Sequence, residues 1–289
     1  MWLGWILASA AILSAYDLCK KASVRANAVF PVLLLSTCSG WLAVTACLAW
    51  RGDLAGVLAP SPRMAGLLLL KSCLVGASWT ATYMALRTLP ITSAAPIRAT
   101  GPFWTLLGAI VIFAEIPSRV QAVGMALTLA GCWLFSLSAR REAGGFWRNR
   151  AVALAFLGTV LGSCSALYDK CLIQRLGLGP GVVLWWFLGG MCVLYGILAL
   201  AFRPCGGQTG FAWRWTIPCV GILLAASDAC YFTAVSTPEA KISVLSLIRR
   251  SSVALTFLAG GAVFHETNLL RKGLALAAIL AGVIVLCVK

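Results

Sequence analysis

Long apolar runs separated by short polar breaks dominate this chain of 289 residues. A helix that crosses a bilayer needs about 20 mostly apolar residues, and cutting the sequence at its charged and Pro/Gly-rich breaks gives ten such segments. The predicted spanning helices are 2–22, 30–50, 64–86, 92–114, 118–138, 151–173, 180–202, 214–236, 241–264 and 269–288. The pattern predicts an all-α membrane protein with ten transmembrane helices.

Composition and charge agree with a membrane protein. Hydrophobic residues make up 61% of the chain and charged residues 11%, against about 45–50% and about 25% in ordinary globular domains. The net charge of +15 would indicate nucleic-acid binding in a soluble domain. Here most Lys and Arg lie between or at the ends of apolar runs, where they set orientation in the bilayer. We therefore expect lipid rather than nucleic acid as the partner.

The two halves of the chain share motifs at a nearly constant spacing. Tyr16 matches Tyr168 and Asp17 matches Asp169, 152 residues apart, while Arg98 matches Arg249 and Glu115 matches Glu266, 151 residues apart. We interpret 1–138 and 151–289 as two five-helix repeats joined by a basic linker, 139–150. Because five is odd, the second repeat enters the membrane from the opposite side. An inverted repeat is typical of secondary transporters, with the substrate site between the repeats.

The fourth predicted helix carries a family resemblance. Its residues 85–90, 95–96 and 101–115 resemble the drug/metabolite transporter superfamily, EamA type, with a second copy over 234–238 through 265–266. The resemblance implies two inverted five-helix repeats, export of a small metabolite across a bacterial inner membrane, and no cofactor. The second copy lacks the helix prolines and has Arg249 and Arg250, which are similar to the phosphate-binding basic pair of the triose-phosphate translocators.

Charged residues inside the predicted helices are the first site candidates, because ions in a bilayer usually face a partner or a water-filled cavity. We predict that Asp17 with Arg98, and Asp169 with Arg249, form symmetry-related ion pairs that close the two ends of a cavity in turn. Arg250 would then bind an anionic group of the substrate, since its fork suits carboxylate or phosphate. The alternatives are side chains that extend to water and permanent structural pairs.

Three further charged residues lie within predicted helices. A carboxylate buried in apolar surroundings can carry a proton at neutral pH, so Asp228 is a candidate for proton coupling; its repeat counterpart is Trp79. A structural partnership of Asp228 with Lys71 or an arginine is the alternative. For Lys71 we expect a side chain that extends to water. Lys170, beside Asp169, is assigned to the same gating and coupling group.

Aromatic residues complete the predicted substrate-binding set. The set consists of Arg249, Arg250, Arg98, Tyr16, Tyr168, Trp79, Trp104 and Tyr231. Aromatic side chains in membrane helices are also common as packing or interfacial residues, so this alternative stays open for each. Glu115, His265 and Glu266 are interpreted as polar residues at helix ends.

Three function classes follow, of which a transporter is the leading one. We expect a secondary transporter that exports a small anionic metabolite by alternating access; the alternative is an amino-acid or drug exporter with structural arginines. An enzyme would need a nucleophile, paired acids or a metal cluster, and no catalytic or metal-ligating set is found. A non-transporting subunit is the third class. The protein would be a monomer or homodimer. Loop charges place both termini outside, whereas the resemblance implies termini inside.

Overall fold

The computed structural model describes residues 2–25, 27–58, 60–89, 94, 97–98, 100–114, 118–140, 150–201, 210–253 and short pieces between 255 and 285. The described residues form helices and contain no strand. The helices are α1 (Trp2–Val24), α2 (Val29–Trp50), α3 (Leu54–Leu58), α4 (Pro62–Thr88), α5 (Gly101–Phe113), α6 (Arg119–Arg140), α7 (Arg150–Lys170), α8 (Pro180–Ala201), α9 (Thr216–Val235) and α10 (Ile242–Arg250).

Six of these helices are long and apolar enough to cross a bilayer, namely α1, α2, α4, α7 with its continuation to Arg175, α8 and α9. The chain is therefore a multi-pass membrane protein, as predicted. The bounds of these six helices agree with the predicted segments to within a few residues. Only short pieces of the predicted segment 269–288 are described, and within the predicted segment 241–264 the described helix is Ile242–Arg250, so the count of ten helices stays a prediction.

Local signals explain where several helices begin and end. Ser61 caps α4 by accepting a hydrogen bond from the Met64 backbone N–H at 3.4 Å, and Pro62 starts the helix, where its missing N–H costs nothing. At its end, α7 widens into a π turn, Cys171–Arg175, closed by a bond from Leu176 N to Cys171 O of 3.1 Å. Such turns often occur at functional sites.

Helix contacts occur in matched pairs. Helix α1 packs on α9 as α4 packs on α7, α2 on α9 as α8 on α4, and α1 on α10 as α7 on α5. In each case the second contact is formed by the two helices that correspond, at the repeat spacing, to the helices of the first contact. Two other contacts, α2 with α8 and α5 with α10, join counterparts to each other. The packing thus has an approximate twofold relation.

Small residues sit at the matched crossings. At the α2–α9 contact, a Cβ on Gly40 would lie 2.7 Å from the Gly221 carbonyl oxygen. At the α8–α4 contact, Gly190 packs against Ser72; these two residues are the counterparts of Gly40 and Gly221. Close backbone approach between small residues is how membrane helices gain packing without a hydrophobic driving force.

Helices α1 and α7 end at opposite faces of the bundle. Asn27, just after α1, donates to the Ala212 carbonyl oxygen at 2.8 Å, before α9 begins. Gln174, just after α7, donates to the Val235 carbonyl oxygen at 2.8 Å, where α9 ends. The 20 residues of α9 span about 30 Å, so the two ends are separated by the thickness of a bilayer core.

Candidate functional site

A cavity of about 170 Å³ lies between the helices of the two halves. Its charged lining residues are Lys20, Lys71, Arg98, Asp169, Asp228 and Arg249, and its aromatic ones are Tyr16, Trp79, Phe187, Tyr231 and Phe232. The lining therefore comes from α1, α4, α7, α8, α9 and α10 and from Arg98 ahead of α5. No single half of the chain builds it.

The first ion cluster joins α1 to the segment before α5. Arg98 donates through Nη1 to Asp17 Oδ1 at 2.9 Å, and Lys20 approaches the same oxygen at 3.4 Å. The side chains of Asp17 and Lys20 are only 1% and 4% exposed. The predicted contact between Asp17 and Arg98 is confirmed; its role in gating stays a prediction.

The second ion pair connects α4 to α7. Lys71 donates to Asp169 Oδ1, and its Nζ lies 5.0 Å from the Phe187 ring centroid and 5.2 Å from that of Phe232. The prediction that Lys71 extends to water was wrong, since its side chain is 2% exposed. The packing of α4 on α7 places Asp169 within reach, so Lys71 has a partner inside the membrane.

The third ion pair lies between α9 and α10. Arg249 donates through Nη2 to Asp228 Oδ1 and to Ser227 Oγ at 3.4 Å, and its guanidinium carbon is 4.3 Å from the Tyr231 ring centroid. The predicted pair of Asp169 with Arg249 is therefore wrong, because each has a different partner. The alternative for Asp228, a partnership with an arginine, matches the structure.

The structure brings together only part of the predicted substrate set. Tyr16, Trp79, Tyr231, Arg98 and Arg249 line the cavity.

The other predicted members lie elsewhere. Tyr168 donates to the Leu67 carbonyl oxygen at 3.1 Å, and the Trp104 ring packs 5.3 Å from that of Phe103. Lys170 lies 4.8 Å over the Phe113 ring. Neither these two aromatic residues nor Lys170 line the cavity described here, so the prediction that they contact substrate or gate there is not supported in this conformation. The side chain of Arg250 lies outside the described residues, as do Glu115, His265 and Glu266.

Sequence reasoning missed Lys20 and the buried aromatic residues Phe187 and Phe232. Lys20 follows Asp17 by three residues, and residues at this spacing are neighbours on one helix face. That spacing was a usable signal. The two phenylalanines carry no such signal, because the sequence of an apolar helix does not show whether an aromatic residue faces lipid, protein or a cavity.

Cations outnumber carboxylates around this cavity. Among the described residues that line it or bind a lining ion, Lys20, Lys71, Arg98 and Arg249 face Asp17, Asp169 and Asp228. Charges removed from water are costly unless they are paired. Among the described residues, cations therefore exceed carboxylates by one. In the described part of the chain, His, Cys, Asp and Glu form no group of three suited to a metal.

Two buried polar atoms of this site have no hydrogen-bond partner among the described residues. They are Asp17 Oδ2 and Arg249 Nε. Leaving such an atom unsatisfied costs about 1–3 kcal/mol, more when the group is charged. Water or a bound ligand would therefore lower the free energy of this site.

Comparison with known proteins adds a family and a fold. Residues 1–137 match the model of the EamA-like transporter family. A protein of known crystal structure is similar over 99% of this chain and 96% of its own, with a TM-score of 0.76 at 17% sequence identity, which shows a shared fold. No curated protein matches.

Proposed function

We propose that this chain, whose residues 1–137 match the model of the EamA-like transporter family, a part of the drug/metabolite transporter superfamily, is a secondary transporter of a small anionic metabolite. The observation that carries the proposal is the cavity between the halves, in which cations exceed carboxylates by one among the described residues. A ligand with one negative charge would neutralise this excess.

The size of the cavity supports a small substrate. Pockets for drug-sized ligands measure about 300–1,000 Å³, whereas this one measures about 170 Å³. Its charged lining groups belong to four cationic and two acidic side chains, serine and threonine hydroxyls lie beside them, and its walls include the rings of Trp79, Phe187 and Phe232. A compact carboxylate or phosphate with a short carbon skeleton fits this lining better than a large apolar drug.

The matched packing supports alternating access. Exchange of each helix for its counterpart turns the α1–α9 contact into the α7–α4 contact, and α1 and α7 end at opposite faces. Two such halves could exchange conformations and so open the cavity to either side, as inverted-repeat transporters do. The inverted five-helix repeat and the alternating motion are part of this proposal.

Asp228 is the proposed coupling group. It holds Arg249 by an ion pair that lines the cavity, so a proton on Asp228 would remove the charge that holds the guanidinium. Arg249 could then bind an anion through its released donors, which couples a proton to the substrate. Asp228→Asn should abolish substrate-driven proton movement, measured with a pH-sensitive dye inside liposomes; proton movement equal to that of the wild type would refute the assignment.

A zwitterion such as an amino acid is the second candidate substrate. The specific observation in its favour is that two carboxylates, Asp169 and Asp228, line the same cavity as the cations. An ammonium group could bind either one while a carboxylate binds a cation. The excess positive charge favours the anion, since a zwitterion leaves that excess in place.

Counterflow in liposomes tests these proposals. The purified protein is reconstituted, the liposomes are loaded with one unlabelled compound, and uptake of the same labelled compound is followed. The compounds are lactate, inorganic phosphate, glycine and lactamide, which is the uncharged analogue of lactate. Counterflow of lactate or phosphate but not of lactamide is expected. Counterflow of glycine alone would favour the zwitterion, and absence of counterflow of both anions would overturn the proposal.

A further inference from the structure

One hydroxyl group on the wall of the cavity differs from its neighbours. In the described part of the chain, five serine and threonine residues line the cavity, namely Ser78, Thr82, Thr159, Ser165 and Ser246. The hydroxyl groups of Ser78, Thr82 and Thr159 donate to helix carbonyl oxygens at 2.7–2.9 Å, and that of Ser246 donates to Thr105 Oγ1 at 3.2 Å. Within the described residues, Ser165 is the member of this set whose side chain makes no hydrogen bond.

The surroundings of Ser165 make this lack of a partner informative. Only 6% of the residue is exposed, and a buried hydroxyl group without a hydrogen bond is costly. A serine or threonine inside a helix often bonds to a carbonyl oxygen of the preceding turn, as Thr159 does on the same helix. Because Ser165 makes no such bond although it lines the cavity, the partner of its hydroxyl group would come from the cavity.

Ser165 lies one helical turn before Asp169 on α7, and both residues line the cavity. Residues four apart on a helix are neighbours on one face, with about 5–6 Å between their Cβ atoms. Asp169 accepts a hydrogen bond from Lys71 through Oδ1, and a carboxylate has about four acceptor positions, so it can accept from a ligand as well. The pair of Lys71 with Asp169 has no net charge and gives an anionic group no net attraction. A ligand hydroxyl suits this position, since it can accept from Ser165 and donate to Asp169.

From this arrangement we infer that Ser165 binds a hydroxyl group of the substrate, so that the transported anion is a hydroxy acid. The inference rests on the proposed function and narrows its substrate class. The carboxylate of such a ligand would bind cations of the cavity, while its hydroxyl group lies between Ser165 and Asp169. The cavity volume of about 170 Å³ suits a hydroxy acid of only a few carbon atoms, since drug-sized ligands occupy about 300–1,000 Å³.

Two compounds and two variants test the inference. Lactate and propionate are both monoanions and differ by one hydroxyl group, and Ser165→Ala removes the hydroxyl group proposed to bind it. The matched control is Ser163→Ala on the same helix: the Ser163 hydroxyl donates to the carbonyl oxygens of Gly101 and Thr159 at 2.9 and 3.0 Å, and the residue does not line the cavity. KM for counterflow of each compound is measured in the wild type and in both variants, and phosphate is included for the wild type.

A hydrogen bond between neutral groups corresponds to about a threefold to tenfold difference in affinity. In the wild type, KM for lactate should be lower than KM for propionate by about this factor. Ser165→Ala should raise KM for lactate to that of propionate, whereas Ser163→Ala should keep the preference.

Two results would overturn the inference and leave the proposed function standing. One is a preference for lactate that persists in Ser165→Ala. The other is a wild type that transports propionate as well as lactate, or phosphate in preference to lactate. A wild type that moves neither lactate nor phosphate would instead refute the proposed function.

Thermal unfolding in detergent gives a second measurement and controls for misfolding. Alanine has a higher helix propensity than serine, so Ser165→Ala should keep the wild-type unfolding temperature to within a few degrees. At equal concentrations, lactate should raise the unfolding temperature of the wild type more than propionate does, and this difference should be absent in Ser165→Ala. Equal stabilisation of the wild type by both compounds would contradict the inference even if transport could not be compared.

Discussion

Asp169 and Lys71 each retain a charge in an apolar interior because the other is present. Their side chains are 6% and 2% exposed, so neither charge is compensated by bulk water. When one partner of a buried pair is removed, the other is left as an uncompensated ion, whereas removing both is often close to neutral. Each residue is therefore needed to neutralise the buried charge of the other.

Lys71→Met and Asp169→Asn should each lower the free energy of unfolding by about 3–5 kcal/mol. The double variant Lys71→Met with Asp169→Leu should recover most of this loss, since no buried ion remains. Thermal unfolding in detergent provides the measurement. Asp53→Asn is the control: the Arg51–Asp53 pair is 66% and 57% exposed, and exposed pairs contribute about 0–1 kcal/mol. Additive losses in the double variant would contradict the pairing.

The partner of Asp169 shows what could be predicted from sequence at this scale. Asp17 and Arg98 could be paired from helix depth alone, and they are in contact. The same rule failed for their counterparts, because Lys71 and Asp228 break the symmetry: the residues that match them in the other repeat are Val220 and Trp79. Lys71 pairs with Asp169 and Asp228 pairs with Arg249, so the expected pair of Asp169 with Arg249 does not form. Symmetry predicts backbone positions, whereas partners depend on charges that only one repeat carries.

The Asp17 cluster should tolerate exchange of its charges. Asp17→Arg alone would place three cations together, and Arg98→Asp alone would give two carboxylates with Lys20 between them. The double variant restores one carboxylate and two cations, so we expect it to recover both the unfolding temperature and the counterflow that each single variant loses. Without such recovery, the contact would be incidental and its gating role would have to be abandoned.

Among the elements, α2 and α9 approach each other most closely at Gly40 and Gly221. A Cβ on Gly40 would lie 2.7 Å from the Gly221 carbonyl oxygen, and a Cβ on Gly221 would overlap the backbone of Ser36. Helix lengths and apolar runs were predictable from sequence, and the bounds of α1, α2 and α8 lie within two residues of those predicted. Which helices contact each other could not be predicted, because the sequence of an apolar helix does not show which of its glycines meets the backbone of another helix.

Gly221→Ala should therefore be costly although it adds one methyl group. The added methyl group would overlap backbone atoms, which cannot move away as a flexible side chain can. Overpacking of this kind costs about 1–3 kcal/mol. Gly196→Ala on α8 is the matched control, because its Cβ would have a nearest neighbour at 4.0 Å. Thermal unfolding in detergent should show a clear decrease for Gly221→Ala alone. Equal unfolding temperatures for both variants would mean that the α2–α9 contact is looser than described.

At the scale of the whole molecule, the orientation of the two halves relative to each other in the membrane determines how the cavity can open. Asp17 and Lys20 lie in α1 and Asp169 lies in α7, near the ends that approach opposite faces. A rocking motion of one half against the other would thus loosen one cluster while it tightens the other. Because Asp17 and Asp169 have different partners, the proposed gating would depend on different contacts at the two ends of the cavity.

Opposite faces for the ends of α1 and α7 can be tested on the full chain. A short epitope is inserted between Leu176 and Gly177, beyond α7, or between Gly210 and Phe211, beside the end of α1; these four residues are exposed. Because α9 spans the distance between the two positions, one epitope should be digested by protease in right-side-out vesicles and the other only in inverted vesicles. Digestion of both epitopes from the same side would place the ends of α1 and α7 on one face. The two halves could not then be inverted copies, and alternating access by exchange of their conformations would be excluded.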